Sequence, residues 1–221
     1  LPANRAVSLP ATSSFSDGAC MGIPAMTAHR CVFSDGSVEG KTVLVTGGAG
    51  RVGHYAIQWA KHAGAQVVAT ASNPQAEDHC FAAGADAVCP HGGGELIRII
   101  SEMTSGKGVD RVVDGEFGAN LPGLLDAVNT GAVIATYSSM AVPEPVLPFR
   151  RMMFMDLTLR LVLVYAMPES AKQHAIDDIT EYLGRGMLQH RIAHRVPLDQ
   201  VAESHQLIEK GGFYGAVVLD V

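Results

Sequence analysis

An α/β fold built on a doubly wound parallel sheet is predicted by three observations. Apolar, β-branched runs alternate with helical runs from Thr42 to Val164 in the order β-α-β-α-β-α-β-α-β-β. The first strand, Thr42-Val43-Leu44-Val45-Thr46, breaks directly into glycines, and an amphipathic run follows from Arg51. Farther along, Leu96, Ile99, Ile100 and Met103 recur at the spacing of one helix face.

The elements follow in order. Residues 1–17, rich in Pro, Ser and Ala, form no convincing element and are expected to be a linker or remnant. Gly18 to Phe33 reads as a helix, with Pro24 and Thr27 near its middle. Strand Thr42–Thr46 leads through the glycines to a helix over Arg51–Ala63. Strand Gln66–Ala71, helix Pro74–Ala83 closed by Gly84, and the short strand Ala87–Cys89 come next. Helix Gly94–Thr104, strand Val109–Val113, helix Leu121–Val128, strand Gly131–Thr136 and strand Thr158–Val164 complete the alternation. The tail adds a helix over Glu169–Leu183, a strand over Ile192–Val196, a helix over Leu198–Ile208 and a last strand over Gly215–Asp220.

Lys41 to Gly53 carries the strongest chemical signal. Gly48, Gly50 and Gly53 satisfy G-x-G-x-x-G in the strand–turn–helix context that gives the pattern meaning. One glycine permits the tight turn, one lets backbone approach a pyrophosphate, and one lets helix and strand pack closely. Free N–H groups and the helix dipole then favour a diphosphate at the helix start. The pattern predicts a Rossmann-type dinucleotide site at the carboxyl edge of the sheet.

Composition narrows the partners. With 221 residues, 48% hydrophobic and 17% charged, the chain can bury a real core. Its net charge is -6 and it has no Lys/Arg-rich run, which argues against nucleic acid. The longest apolar run, Leu161 to Met167, is far short of the ~20 residues of a membrane span. Four scattered cysteines without C-x-x-C predict free buried thiols, and with no visible signal peptide the expected compartment is the cytoplasm.

Taken together, Gly22-Ile23-Pro24-Ala25-Met26-Thr27-Ala28, Gly47-x-x-Gly50-x-x-Gly53, Gly64-Ala65, Gly84-Ala85-Asp86, Gly108-Val109-Asp110, Asp114, Gly131, Pro197-Leu198 and Gly215-Ala216-Val217-Val218-Leu219 form a familiar series. In order and spacing it resembles the quinone oxidoreductase (zeta-crystallin-like) branch of the medium-chain dehydrogenase/reductase superfamily, over nearly the whole chain from Asp17. Members of that branch carry a GroES-like catalytic domain ahead of this region. The resemblance implies a Rossmann cofactor-binding domain over 18–168, with strand order 3-2-1-4-5-6. It also implies a C-terminal segment, 169–221, left over from that GroES-like domain. The tail strands are then expected to lack partners and to be disordered, rearranged or paired between chains.

The resemblance also implies NADPH as cofactor and a quinone or other activated alkene as the small-molecule acceptor, reduced by direct hydride transfer without zinc. The implied cofactor-binding residues are Thr27, Gly47, Gly50, Arg51, Val52, Ser72, Asn73, His91, Gly115, Tyr137 and Ser138. Thr27, Gly115, Tyr137 and Ser138 would line the nicotinamide side. Tyr137 stands where the family tends to have glycine. At the end of the second strand, where an NAD site usually places Asp or Glu, this chain has Ala71-Ser72, which favours NADPH. No Lys or Arg occurs between Gln66 and Ile97, so weak binding is expected, with Ser72, Asn73 and His91 as donors and Arg51 free to swing towards a phosphate.

No metal is expected, because the sequence shows no Cys/His cluster, and His190 and His194 fall at a strand entrance. His29, His54 and His62 are expected on helix surfaces or half-buried. Catalytic residues are not identified, and the isolated chain is expected to bind cofactor but turn over little. The strand over 158–164 is too apolar for an exposed edge and fits either a buried internal strand or a subunit contact. The resemblance, in whose family the equivalent strand pairs with its two-fold mate, implies a two-fold homodimer through it. Two other readings stay open on the residues alone. One is an extended short-chain dehydrogenase or epimerase, which shares T-G-x-x-G-x-x-G at Thr46–Gly53 but needs Tyr-x-x-x-Lys. None of Tyr55, Tyr137, Tyr165, Tyr182 and Tyr214 has the lysine. The other is a non-catalytic nucleotide-binding module.

Overall fold

The computed structural model describes residues 6–221, so the first five residues of the predicted linker lie outside the described residues. Helix α1 spans Phe15–Phe33 and starts three residues before the expected Gly18. Its start is a capping box: Ser14 Oγ accepts from the Asp17 backbone N–H, and the Asp17 carboxylate accepts from the Ser14 N–H.

Six strands form one parallel sheet: β1 Thr42–Val45, β2 Gln66–Ala71, β3 Ala87–Pro90, β4 Val109–Asp114, β5 Val128–Thr136 and β6 Thr158–Leu161, in the order β3-β2-β1-β4-β5-β6. This is the predicted order. Between the strands run α2 Arg51–His62, α3 Pro74–Ala82, α4 Gly93–Thr104, α5 Phe117–Ala127 and α6 Phe149–Phe154. Alternate residues of each strand face opposite layers. Val43, Val45, Val67, Ala69 and Val113 pack with α1, α2 and α3, whereas Leu44, Val68, Val112 and Ile134 pack with α4 and α5.

The structure corrects two boundaries and adds one helix. α5 begins four residues before the expected Leu121, with Pro122 in its second turn, where propensity argues against helix. Its Phe117 N–H is satisfied instead by the Ser138 carbonyl, 2.9 Å away, across the sheet edge. Helix α6 was not expected; Arg151 on it donates to the Leu125 carbonyl and to Asp126 at the end of α5. β6 ends at Leu161, not Val164, and Val164–Ala166 turns as a 3-10 helix.

Arg111 is 1% exposed in the middle of β4. A buried guanidinium is tolerable only if its donors are used. Here they meet carbonyls at the end of α1: Nη1 donates to Cys31 (3.2 Å) and Val32 (2.6 Å), and Nη2 to Asp35 (3.1 Å). A cation at the carboxyl end of a helix also complements its dipole. Beside it, Arg160 of β6 grips the Asp35 carboxylate and holds its pKa down to about 2. These contacts fasten α1 to the sheet.

After β6 come α7 Glu169–Gly184, β7 Ile192–Pro197, α8 Val201–Lys210 and β8 Ala216–Asp220. The expectation that the tail strands lack partners is corrected. β7 and β8 pair with each other in parallel, from Ile192↔Ala216 to Pro197↔Asp220, as a separate two-stranded sheet. All four cysteines are free and buried. Among the described residues, no helix is long and apolar enough to cross a membrane.

Candidate functional site

Between β1 and α2 the chain turns through Gly47, whose φ of +60° suits glycine. Gly47 N–H donates to Thr70 Oγ1 (3.0 Å) and Gly48 N–H to the Thr70 carbonyl (2.9 Å), so the turn is tied to β2. Gly53 lies directly under it. A Cβ there would stand 2.5 Å from the Gly47 oxygen and 2.8 Å from Gly48 Cα. A Cβ on Gly48 would meet Cys80 Sγ at 2.8 Å and Ala69 Cβ at 2.9 Å. The predicted roles of close packing thus fall on Gly48 and Gly53, and the left-handed turn on Gly47.

Gly50 is the N-cap of α2 and provides no side-chain cap. The first backbone N–H groups of the helix therefore face outward without a built-in acceptor, which suits an anion. Arg51 is exposed at the first helical position, with half-buried Val52 behind it. Arg191, from the tail, lines the same cleft as Ala49, Gly50 and Arg51. Its Nη2 donates to the His79 carbonyl at 3.3 Å. Two guanidinium groups thus flank the turn, one predicted from sequence and one not.

At the end of β2, Ser72 and Asn73 are both exposed. Asn73 Oδ1 caps α3 by accepting from the Ala76 N–H, while its Nδ2 donates to Tyr214 Oη at 2.8 Å. Ser72 Oγ lies 3.4 Å from the same hydroxyl. The tail therefore brings a phenol to the edge where the sequence offered only small polar donors. His91 Nδ1 is 2.7 Å from Thr70 Oγ1, the atom that also receives the Gly47 N–H. Burial lowers the His91 pKa.

The other predicted residues sit at the ends of β4 and β5 or in α1. Tyr137 packs over Gly115; a Cβ on Gly115 would lie 2.7 Å from the Tyr137 hydroxyl. Burial raises the Tyr137 pKa, so its ring is neutral packing here. The Ser138 carbonyl accepts from Phe117 N–H and Thr136 Oγ1. Thr27 is 5% exposed in α1 and offers a ligand little surface. Asp114, fully buried, ties three strand ends together: it accepts from Thr46 Oγ1 (2.7 Å), Asn120 Nδ2 (2.8 Å) and Thr136 Oγ1 (3.4 Å).

A second correction concerns the histidines. His29 and His54 are buried, at 3% and 5% exposure, deeper than the surface or half-buried places expected of them. His54 Nε2 donates to the Gln189 carbonyl at 2.8 Å, leaving Nδ1 bare and without a partner. Gln58 bonds Gln189 twice more, Tyr55 meets His190, and His62 meets the Met187 carbonyl. One face of α2 thereby grips residues 187–190 and delivers Arg191 to the glycine turn.

Burial pushes the His54 pKa down to about 4 from an ordinary 6.5. Above pH 6.5 the ring is neutral folded and unfolded. As pH falls below 6.5 the unfolded chain takes the proton first, and the loss continues until the folded ring titrates near 4. At 1.36 kcal/mol per pKa unit, about 2 kcal/mol of stability should go between pH 7.5 and pH 5. Urea titrations at the two pH values check this. The His54→Gln variant should lose most of the dependence; an unchanged pH profile in it would assign the effect elsewhere.

The fit to a dinucleotide is thus good at the diphosphate and modest at the adenosine end. Gly53 lets the start of α2 pack directly against the glycine turn, whereas the β2 edge carries neutral donors.

The six-stranded parallel sheet is a Rossmann-type fold of the kind dehydrogenases use, and the chain belongs to the zinc-binding dehydrogenase family, whose model matches residues 52–181. Among the proteins it is similar to are quinone oxidoreductases and a 2-haloacrylate reductase. It is 29% identical to quinone oxidoreductase of Pongo abelii over 213 residues, 96% of this chain and 64% of that protein. It is 25% identical to 2-haloacrylate reductase of a Burkholderia species over 230 residues, 99% of this chain and 68% of that protein. A solved mycobacterial quinone oxidoreductase superposes with a TM-score of 0.88 at 25% identity, over 96% of this chain and 66% of that one. The chain thus spans about 64% of the length of the quinone oxidoreductase it matches. The family match sets aside the short-chain dehydrogenase reading.

Proposed function

We propose that this chain forms the cofactor side of a cytoplasmic NADPH-dependent oxidoreductase that reduces a quinone or other activated alkene by direct hydride transfer, without zinc. The observation that carries the reading is the uncapped start of α2 held against Gly47 and Gly48 by Gly53. Gly47, Gly50, Arg51 and Val52 would hold the diphosphate. Ser72, Asn73 and His91 would meet the adenosine end, joined by Tyr214. Gly115, Tyr137 and Ser138 would line the nicotinamide side; Thr27 is too deeply buried in α1 to take part.

Bound NADPH supplies the hydride. The chain's own task is to fix one face of the ring and keep water away. Quinones and 2-haloacrylate, named by the relatives, are both electron-poor conjugated alkenes. Either would accept a hydride at carbon and then a proton. An apolar groove lined by Tyr137, Ser138, Leu159, Leu161 and Val162 adjoins the nicotinamide side and suits such an acceptor. By itself the chain is expected to bind cofactor with little turnover.

The absence of an acid after β2 supports NADPH over NADH. Calorimetric titration with each cofactor should show tighter binding of NADPH. A clear preference for NADH would overturn the cofactor assignment, and no heat from either at millimolar ligand would overturn the function.

The same enzyme is proposed to be a two-fold homodimer through β6. That strand is the sheet edge, and Leu161 and Leu163 are 72% and 60% exposed along it and just beyond. An exposed apolar edge is a template for pairing. Sedimentation should show a dimer at micromolar chain and a monomer for Leu161→Asp; a monomeric wild type would contradict the proposal.

A further inference from the structure

Far from the glycine turn, three metal-ligand side chains converge between α1 and α7. His29 comes from α1, and His174 and Asp178 stand four residues apart on one face of α7. His29 Nε2 lies 2.7 Å from Asp178 Oδ2, and His174 Nε2 lies 3.4 Å from the same oxygen. All three ligand atoms fall within 4.8 Å of one another. His29 and Asp178 are 149 residues apart, so no local spacing announces the group.

A lone buried histidine needs only one hydrogen bond, and Asp178 supplies it. That account leaves out His174. Its imidazole is 66% exposed, yet it is turned onto the same carboxylate oxygen, its ring 5.2 Å from that of His29. With both rings in the tautomer that turns the Nε2 lone pair inward, the same three atoms can hold a divalent cation in place of the hydrogen bonds. Around zinc, with bonds of about 2.0–2.1 Å, neighbouring ligand atoms stand about 3.3 Å apart. The separations here bracket that value, and the exposed His174 can rotate to close the gap. Two nitrogen donors and one oxygen suit zinc, copper, nickel or cobalt and disfavour magnesium and calcium.

We propose that His29, His174 and Asp178 form a divalent transition-metal site, filled by zinc, with water on the open side. The site takes no part in hydride transfer. It staples α7, and with it the tail that brings Arg191 and Tyr214 to the glycine turn, onto α1.

Trp59, the sole tryptophan, reports on the site, because its ring is 5.3 Å from that of His29. Copper(II) should quench its fluorescence at micromolar metal, and zinc should compete the quenching away. His174→Ala, at an exposed position, and Asp178→Asn, which keeps the side-chain shape, should each weaken the copper response at least tenfold. His62→Ala, three residues from Trp59 on α2, should leave it unchanged. Circular dichroism verifies that each variant is folded. A His174→Ala curve that superimposes on the wild type would overturn the proposal. So would failure of zinc to compete, or loss of the response in His62→Ala instead.

Discussion

Gly53→Val is expected to abolish NADPH binding. The new Cβ would stand 2.5 Å from a main-chain oxygen and 2.8 Å from a main-chain carbon of the glycine turn. Neither atom can swing aside as a side-chain end would. Either α2 moves away from β1 or the turn unwinds, and in both cases the N–H groups lose their common aim. Overpacking of this kind costs about 1–3 kcal/mol, so the domain should still fold. Calorimetry then separates the two effects: no heat with NADPH, from a chain whose circular dichroism is native. Gly94→Ala provides the control, because a Cβ there meets nothing within 4 Å. Binding by Gly53→Val within a factor of a few of wild type would mean that the ligand sits elsewhere.

Arg111→Met is expected to cost about 3 kcal/mol or more of stability. Methionine fills much of the volume but leaves the carbonyls of Cys31, Val32 and Asp35 without the donors that serve them now. Hydrogen bonds to charged groups are worth about 1.5–3 kcal/mol each, and orphaned buried acceptors about 1–3 kcal/mol. Set against this is relief from burying a guanidinium whose Nε has no partner. Three bonds against one desolvated cation favour the loss. Urea denaturation measures it; a change below about 1 kcal/mol would show that the desolvation cost cancels the bonds.

These two residues mark what the sequence can and cannot tell. Gly53 was legible because turn, strand and helix are contiguous, and each glycine answers a local steric demand. The strand order was legible for a related reason: each β-α unit repeats the same apolar pattern, and the resemblance supplied the winding. Arg111 was not legible, since nothing nearby predicts that its guanidinium reaches the end of a helix some 75–80 residues earlier. The same holds for Tyr214 at Asn73 and Arg191 at the glycine turn. Both arrive on a tail held by hydrogen bonds from one face of α2, and hydrogen-bond partners leave no periodicity to read. Helix α6 escaped because six residues are too few to show an amphipathic repeat. The histidines misled for another reason. His29 and His54 read as surface or half-buried residues, whereas each is deeply buried against an acceptor far along the chain.

Amide chemical-shift mapping with NADPH tests the central claim most directly. The account predicts the largest shifts at the N–H groups of Gly47 to Gly53, with a second set at Ser72, Asn73 and His91. Saturable shifts confined to any other surface, with the Gly47–Gly53 amides unmoved, would contradict it.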